Sequence, residues 1–267
     1  MDWQLSTAEA ATLEFLEQSP STNTALVALA ASDESPVDFS VILTTNQTAG
    51  RGRLGRVWVA PPGSSLAISV LLRPVYPAGE AMPIEHFGWL PLIAGAAMAR
   101  ALAPLVPGTV GLKWPNDVQI DGLKVSGLLA ELTPTADAVV LGAGVNLALT
   151  ADQLPTPVST SLLLAGADLD GDELADAVLS AYLQNLRDLY TDFLRYGADV
   201  DASGTLALLT ELCTTLGQQV RVELPGGAAL HGTATGIDRS GRLQVRRGSD
   251  GQVVAVAAGD VTHLRYE

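Results

Sequence analysis

A single cysteine in 267 residues excludes an internal disulfide and a thiolate metal cluster, and it agrees with a reducing compartment. That residue, Cys213, lies in the amphipathic run 206–216, where a small buried apolar side chain is its expected role. Histidine is also scarce. His86, His231 and His263 are scattered, and no Ser/His or Cys/His arrangement of a nucleophilic enzyme can be built from them. Basic residues number 15 against 29 acidic ones, and the formal charge of −14 has the wrong sign for a protein that holds a duplex by neutralising its phosphates. The start, MDWQLSTAEA, carries an acidic residue where an export signal carries basic ones, and no apolar core follows. The longest uncharged apolar stretch, 87–99, is interrupted by Gly88 and Pro91 and is short for a bilayer crossing, so it is read as a core helix. These absences predict a cytoplasmic chain with neither a membrane nor a nucleic-acid partner.

What is present is a globular composition, 48% apolar with 26 glycines, and enough length for one sizeable core plus a small module. Thr22-Asn23-Thr24 follows Ser21 and leads into ALVALAA, a capped helix with Leu26, Leu29 and Ala30 on one face. Strands are expected at 39–45, 65–72, 110–114, 118–120, 124–132 and 138–147, with Asp121-Gly122 as a hairpin turn. Helices are expected at 86–105, 172–196 and 206–216. The second of these carries Leu174, Val178, Leu179, Tyr182, Leu183, Leu186 and Tyr190 at three- and four-residue spacing. After Leu216 the texture changes to short glycine-punctuated strands, which predicts a small β-barrel. The expected architecture is α/β of the α+β type: a central mixed sheet with flanking helices in residues 1–216, then the barrel in residues 217–267.

Chemistry concentrates in three segments. In 47–58, QTAGRGRLGRVW, three arginines separated by glycines can turn guanidinium forks and backbone amides toward one anion. A solvated basic loop, or an arginine–glycine contact to nucleic acid, reads the same segment equally well. In 113–117, KWPND, and the lysine that follows at Lys124, two ammonium groups, an asparagine and an aspartate sit at strand ends, where a hairpin can aim them into one cleft. Each lysine alone also reads as an exposed strand-end charge. In 142–146, GAGVN, Leu147 stands where a dinucleotide fingerprint needs its third glycine, and no P-loop pattern occurs elsewhere, so any ATP site is neither of those two kinds.

Ser21-Thr22-Asn23, QTAGRGRLGRVW, KWPNDV (113–118), KVSGLLAE (124–131) and GAGVN occur together in the order and approximate spacing of biotin protein ligases, and the chain from Ser21 onward resembles that family. The resemblance implies an SH3-like C-terminal module and an enzyme that converts biotin and ATP to biotinyl-5'-AMP and pyrophosphate, then passes biotin to a lysine of a biotin carboxyl carrier protein or domain of a biotin-dependent carboxylase. Residues 1–20 are too few for the winged helix of members that double as repressors, so the ligase-only type is expected, as a monomer or weak homodimer. By the same resemblance Ser21, Thr22, Asn23 and Gln47 line the biotin pocket, Gly50, Arg51 and Gly127 lie along biotin toward its carboxylate, and Lys124 stands between carboxylate and α-phosphate. Arg53, Arg56, Trp58, Asn116 and Asn146 hold the nucleotide. Lys124, Arg51 and Arg53 are the expected catalytic cations, Asp117 an expected Mg²⁺ ligand, and Arg265 a contact from the small domain. Val57 and Ser126 depart from the family pattern, which has a basic residue and alanine there. A lipoate or octanoate ligase and a non-catalytic biotin or nucleotide sensor are the competing readings. The glycines and like charges of the arginine loop predict that it orders on ligand.

Overall fold

The β-branched and apolar run at 65–72 forms a fully buried interior strand of the larger sheet. The computed structural model describes residues 3–32, 36–224, 228–257 and 260–263. In chain order the elements are α1 (Gln4–Thr7), β1 (Thr12–Phe15), α2 (Thr22–Ala30), β2 (Ser40–Thr44), β3 (Gly50–Arg51), β4 (Val57–Trp58), β5 (Ser65–Leu72), α3 (Leu90–Leu102), β6 (Val110–Lys113), β7 (Asp117–Ile120), β8 (Leu123–Leu132), β9 (Val139–Asn146), α4 (Gly171–Arg195), α5 (Thr205–Leu212), β10 (Gln219–Glu223), β11 (Ala229–Ile237), β12 (Leu243–Arg247), β13 (Val253–Val256) and β14 (Asp260–His263). Seven strands make the larger sheet in the order β1-β2-β5-β9-β8-β7-β6. It is mixed, because β1 runs parallel to β2 while its other neighbours are antiparallel. The small sheet is antiparallel throughout, in the order β13-β12-β11-β10-β14. The β7–β8 turn is the expected Asp121-Gly122, and both residues take positive φ, 50° and 82°, as a two-residue hairpin requires.

Successive side chains of a strand point to opposite faces, so the two faces of this sheet can be read separately. Leu66, Ile68, Val70 and Leu72 of β5 join Val139, Leu141, Ala143 and Val145 of β9 in the main core. There they meet α3 and the predicted stripe of α4, whose residues Leu174, Val178, Leu179, Tyr182, Leu183, Leu186 and Tyr190 are all buried. The helical run Ile84–Leu105 that includes α3 is long and apolar enough to cross a membrane, yet two-thirds of its most apolar 18-residue stretch is buried inside the protein, where it serves as the core helix. The same apolar cluster continues into the small sheet through Val220, Val222, Leu243 and Val245. Two tryptophans fasten the β11–β12 hairpin to the larger unit: Trp89 donates its indole N–H to Arg239 O at 3.2 Å, and Trp114 donates to Gly241 O at 3.0 Å.

On the opposite face Ile42, Leu71 and Val140 pack beneath Leu26 of α2 and make a second, smaller cluster. α2 begins as the sequence predicts, with Ser21 as N-cap and its hydroxyl accepting from Thr24 N at 3.3 Å. Beyond α2 this face carries small residues at Ala67, Gly144 and Gly127, and a groove opens there.

Three expected elements are altered by tertiary context. The helix expected over 206–216 ends at Leu212, because residues 213–215 are drawn alongside β6. Thr214 N donates to Leu112 O at 2.9 Å, and Trp114 N donates to Thr215 Oγ1 at 3.0 Å, which satisfies an otherwise open sheet edge. The helix expected over 86–105 is entered by a 3₁₀ turn, Ile84–Trp89. Strand β1 and helix α1 have no strong sequence pattern. α1 is held from a distance: the Asp176 carboxylate accepts from Leu5 N at 2.9 Å and Ser6 N at 3.0 Å.

Ser126, where the resembled family has alanine, is fully buried with no hydrogen-bond partner for its hydroxyl. An unmatched buried hydroxyl costs about 1 kcal/mol or more. Ser126→Ala is therefore expected to raise stability by about 1 kcal/mol, read as a higher denaturant midpoint at unchanged slope; a lower midpoint would contradict the burial assigned to that hydroxyl.

Candidate functional site

The groove exists because of a row of small residues. Register pairs Ala67 with Gly144 and Gly144 with Gly127, so three adjacent strands present almost no side chain at one level of the site face. One step along, Ser69 pairs with Gly142 and Gly142 with Leu129. The two glycines of GAGVN are occupied from above. A Cβ at Gly144 would come within 2.6 Å of the Trp58 indole, and a Cβ at Gly142 would collide with the Asn23 amide. Gly127 likewise leaves room for Lys124 and Trp58, at 3.1 Å and 3.4 Å from where its Cβ would stand. Glycine is needed here for close approach and not for unusual φ.

Polar side chains gather at two ends of this floor. At the α2 end, Gln47 Oε1 accepts from Thr22 N at 3.0 Å and from Thr22 Oγ1 at 3.3 Å, and the Ser69 hydroxyl lies 2.8 Å from Thr22 Oγ1 and 2.6 Å from Asn23 Oδ1. Asn23 Nδ2 donates to Leu129 O at 3.1 Å and to Glu131 Oε2 at 2.9 Å. Both hydrogens of that amide are thus spent inside the protein. At the other end, Lys124 Nζ sits 2.7 Å from Asp117 Oδ1, with its ammonium 5.8 Å from the centre of the Trp58 ring. The backbone of Lys124 is clamped by the segment after β9: Lys124 N donates to Val158 O, and Thr160 N donates to Lys124 O, each at 2.8 Å. Asn146, buried at the end of β9, donates to Thr160 O at 2.8 Å.

The arginine loop folds over the floor as a short ladder, β3 against β4, in which Gly50 pairs with Trp58 and Arg51 with Val57. A Cβ at Gly50 would run into the Gln47 amide and approach Trp58 O to 2.5 Å. Arg53 donates to Asn116 Oδ1 at 2.8 Å, and Asn116 Nδ2 donates to Asp117 Oδ1 at 3.2 Å and Leu128 O at 3.1 Å. Burial depresses the Arg53 pKa from its ordinary value, the Asp117 carboxylate opposes that shift, and Arg56 adds to it. Arg51 turns the other way, toward Glu131 Oε2 at 2.8 Å and Thr24 Oγ1 at 3.0 Å. The loop separates two cavities. The inner one, about 390 Å³, contains the floor and is lined by Ser21, Thr22, Asn23, Gln47, Arg51, Arg53, Arg56, Trp58, Asn116, Asp117, Lys124, Gly127 and Asn146. The outer one, about 1010 Å³, lies between the loop, Trp114 and the Ser240–Arg242 tip of the small sheet.

Of the residues assigned to biotin, ATP or Mg²⁺ from the sequence, all that the structure describes line the inner cavity except Gly50, which lines the outer one, and Arg51 and Lys124 are directed to opposite ends of the inner cavity. Arg265 lies outside the described residues. Sequence reading missed Ser69, Glu131, the Leu129 carbonyl, the Pro155–Ser159 wall and the Ser240–Arg242 tip. A signal for the first was available: Ser65, Ala67 and Ser69 alternate as small residues in an otherwise fully apolar strand.

The model of the Biotin/lipoate A/B protein ligase family matches residues 15–146, and that of the Biotin protein ligase C terminal domain matches residues 215–264. The biotin--[acetyl-CoA-carboxylase] ligase of Mycobacterium tuberculosis is 39% identical over 95% of this chain and 89% of its own length. The chain belongs to the biotin protein ligase family. Among other members, the bifunctional ligase/repressor BirA of Escherichia coli is 31% identical over 81% of this chain, which spans 64% of that relative. The biotin protein ligase of Aquifex aeolicus, solved with biotin and ATP, superposes with a TM-score of 0.69 at 25% identity, covering 94% of this chain and 98% of that one.

In this biotin protein ligase the other tryptophans, Trp3, Trp89 and Trp114, are buried in the core, whereas Trp58 is only half-buried in the groove. Gly144→Ala is expected to push the Trp58 indole off the floor and shift tryptophan emission to the red, with the melting temperature changed little. Unaltered emission would show that the indole does not rest on Gly144.

Proposed function

We infer that this protein activates biotin with ATP to biotinyl-5'-AMP and pyrophosphate, and transfers biotin to a lysine of a biotin carboxyl carrier protein. The observation that supports it most is the joint placement, in one groove, of a closed polar cluster at one end and a fixed ammonium group at the other. A ureido ring is a buried polar body whose donors and acceptors must be matched, and Ser21, Thr22, Gln47 and the orienting Asn23 offer such partners. A lipoate or octanoate tail has no polar ring to match them.

Adenylation brings a carboxylate against an α-phosphate, so two anions must be held in contact while charge grows on phosphoryl oxygens. Lys124 supplies a cation at the meeting point, and its pairing with Asp117 and the backbone clamp of 158–160 keep it there before substrate arrives. Arg53 and Arg56 come down from the loop to the triphosphate. Arg51 turns to the biotin carboxylate, and Gly50 and Gly127 let the backbone lie close to biotin. Trp58 covers the reacting region and excludes water, while Asn116 and Asn146 place amides beside the nucleotide. No group of three or more carboxylate, histidine or cysteine side chains is assembled among the described residues, so the site offers no protein-built metal cage. A single carboxylate beside a triphosphate suits Mg²⁺, which keeps several waters, and Asp117 would hold it there and neutralise phosphate charge. The transfer step uses the carrier's own lysine as nucleophile.

The division we propose is a ligase domain in residues 1–216 and a small domain in residues 217–267 that closes the outer cavity. The protein works in the cytoplasm as a monomer or weak homodimer, without nucleic acid or membrane.

Purified protein is expected to exchange labelled pyrophosphate into ATP with biotin and not with lipoate or octanoate; exchange with the latter pair would reassign the substrate, and none with any of the three would favour a sensor. Lys124→Ala should lower biotin-dependent exchange by about 100-fold or more, the scale of losing a charge-stabilising group, with the fold intact by circular dichroism. Biotin plus ATP should protect the 50–56 segment from protease, and equal cleavage with and without ligands would count against ordering of that loop.

A further inference from the structure

Glu131 ends the site face of β8, four residues and so about 13 Å along the strand beyond Gly127. Its Oε2 accepts from two residues that belong to different parts of the site: Arg51 of the loop at 2.8 Å and Asn23 of α2 at 2.9 Å. Through Asn23 it continues a chain of polar contacts that runs by Ser69 and Thr22 to Gln47. The loop's own ladder has only two residue pairs, so its place over the groove depends on side-chain tethers, of which Arg51 to Glu131 and Thr24 is one.

We propose that Glu131 is a positioning residue that occupies Arg51 as an internal stand-in for the substrate carboxylate, and that Arg51 exchanges Glu131 for that carboxylate when biotin binds. This rests on the functional reading above. A guanidinium without an anion would be left loose over the groove. With Glu131 it is held next to the ureido-binding cluster, so a substrate that fills that cluster meets Arg51 one swing away. The ion pair is shallow, its side chains 48% and 26% exposed, and exposed pairs contribute at most about 1 kcal/mol, so a ligand carboxylate in the drier groove can displace it. Asn23 keeps an acceptor whether or not Arg51 leaves, because Glu131 and Leu129 O both serve its amide.

Glu131→Gln separates the two duties, since the amide oxygen can still accept from Asn23 while the charge that holds Arg51 is gone. Binding of biotin and of biotinol, its neutral alcohol analogue, to the full chain is measured by calorimetry, together with tryptic cleavage after Arg51, Arg53 and Arg56 without ligand. The expected result is biotin bound about two- to five-fold more tightly, the range of an exposed pair, with biotinol unchanged and the loop cut faster. Thr24→Ala, which removes the other acceptor of Arg51, should shift biotin affinity and loop cleavage the same way by less and again leave biotinol unchanged. Equal weakening of both ligands would make Glu131 a mere support for Asn23, and unchanged affinities with unchanged cleavage would remove the tether; either outcome overturns the proposal. If the unaltered protein bound neither ligand, the functional reading would fail on its own, and the cleavage rates would still decide whether Glu131 holds the loop.

Discussion

A sheet face with no side chains over part of its area must be covered by something else, and that constraint shapes this molecule. The row Ala67, Gly144 and Gly127 leaves a trough across three strands, bounded at one end by the α2 cluster around Leu26 and at the other by the Lys124–Asp117 pair. Asn23 and Trp58 fill the trough only in part. The arginine loop supplies its roof. Every functional residue of the site is placed relative to this row, either standing at its ends or reaching down to it.

The second organising feature is electrostatic. The chain carries a net charge of −14, yet Arg51, Arg53, Arg56, Lys113 and Lys124 converge on the groove. Concentrating scarce cations in a low-dielectric cleft strengthens each against anionic substrates, while the acidic remainder repels polyanions elsewhere. In the structure three of these cations are already matched: Lys124 by Asp117, Arg51 by Glu131, and Arg53 by the Asn116 amide oxygen. Matching lessens the mutual repulsion of the cluster and avoids the cost of burying bare charge.

The small sheet is joined to the larger unit by more than apolar contact. Trp89 and Trp114 each pair an indole N–H with a carbonyl of the β11–β12 hairpin, and a Cβ on Gly241 would come within 2.9 Å of Leu92. That seam fixes the Ser240–Arg242 tip at the mouth of the outer cavity, which a freely tethered module would not do.

The strands, the long amphipathic α4, the Asp121-Gly122 turn and the change of texture near Leu216 were legible in the sequence, because each is written in short-range periodicity or turn chemistry. The motif residues that line the inner cavity were legible as contiguous segments, whereas Ser69, Glu131 and the 155–159 wall, which share that groove, were not. The short α1 and β1, the capture of residues 213–215 by the edge of β6, and the orientation of the arginines were not. Each is decided by a partner far along the chain: Asp176 for Ser6, Leu112 for Thr214, Glu131 for Arg51. Local pattern determined which residues could do chemistry. Only strand register, which sets Gly142 beside Ser69 and Gly144 beside Ala67, decided that they share one floor and which of them face one another across it.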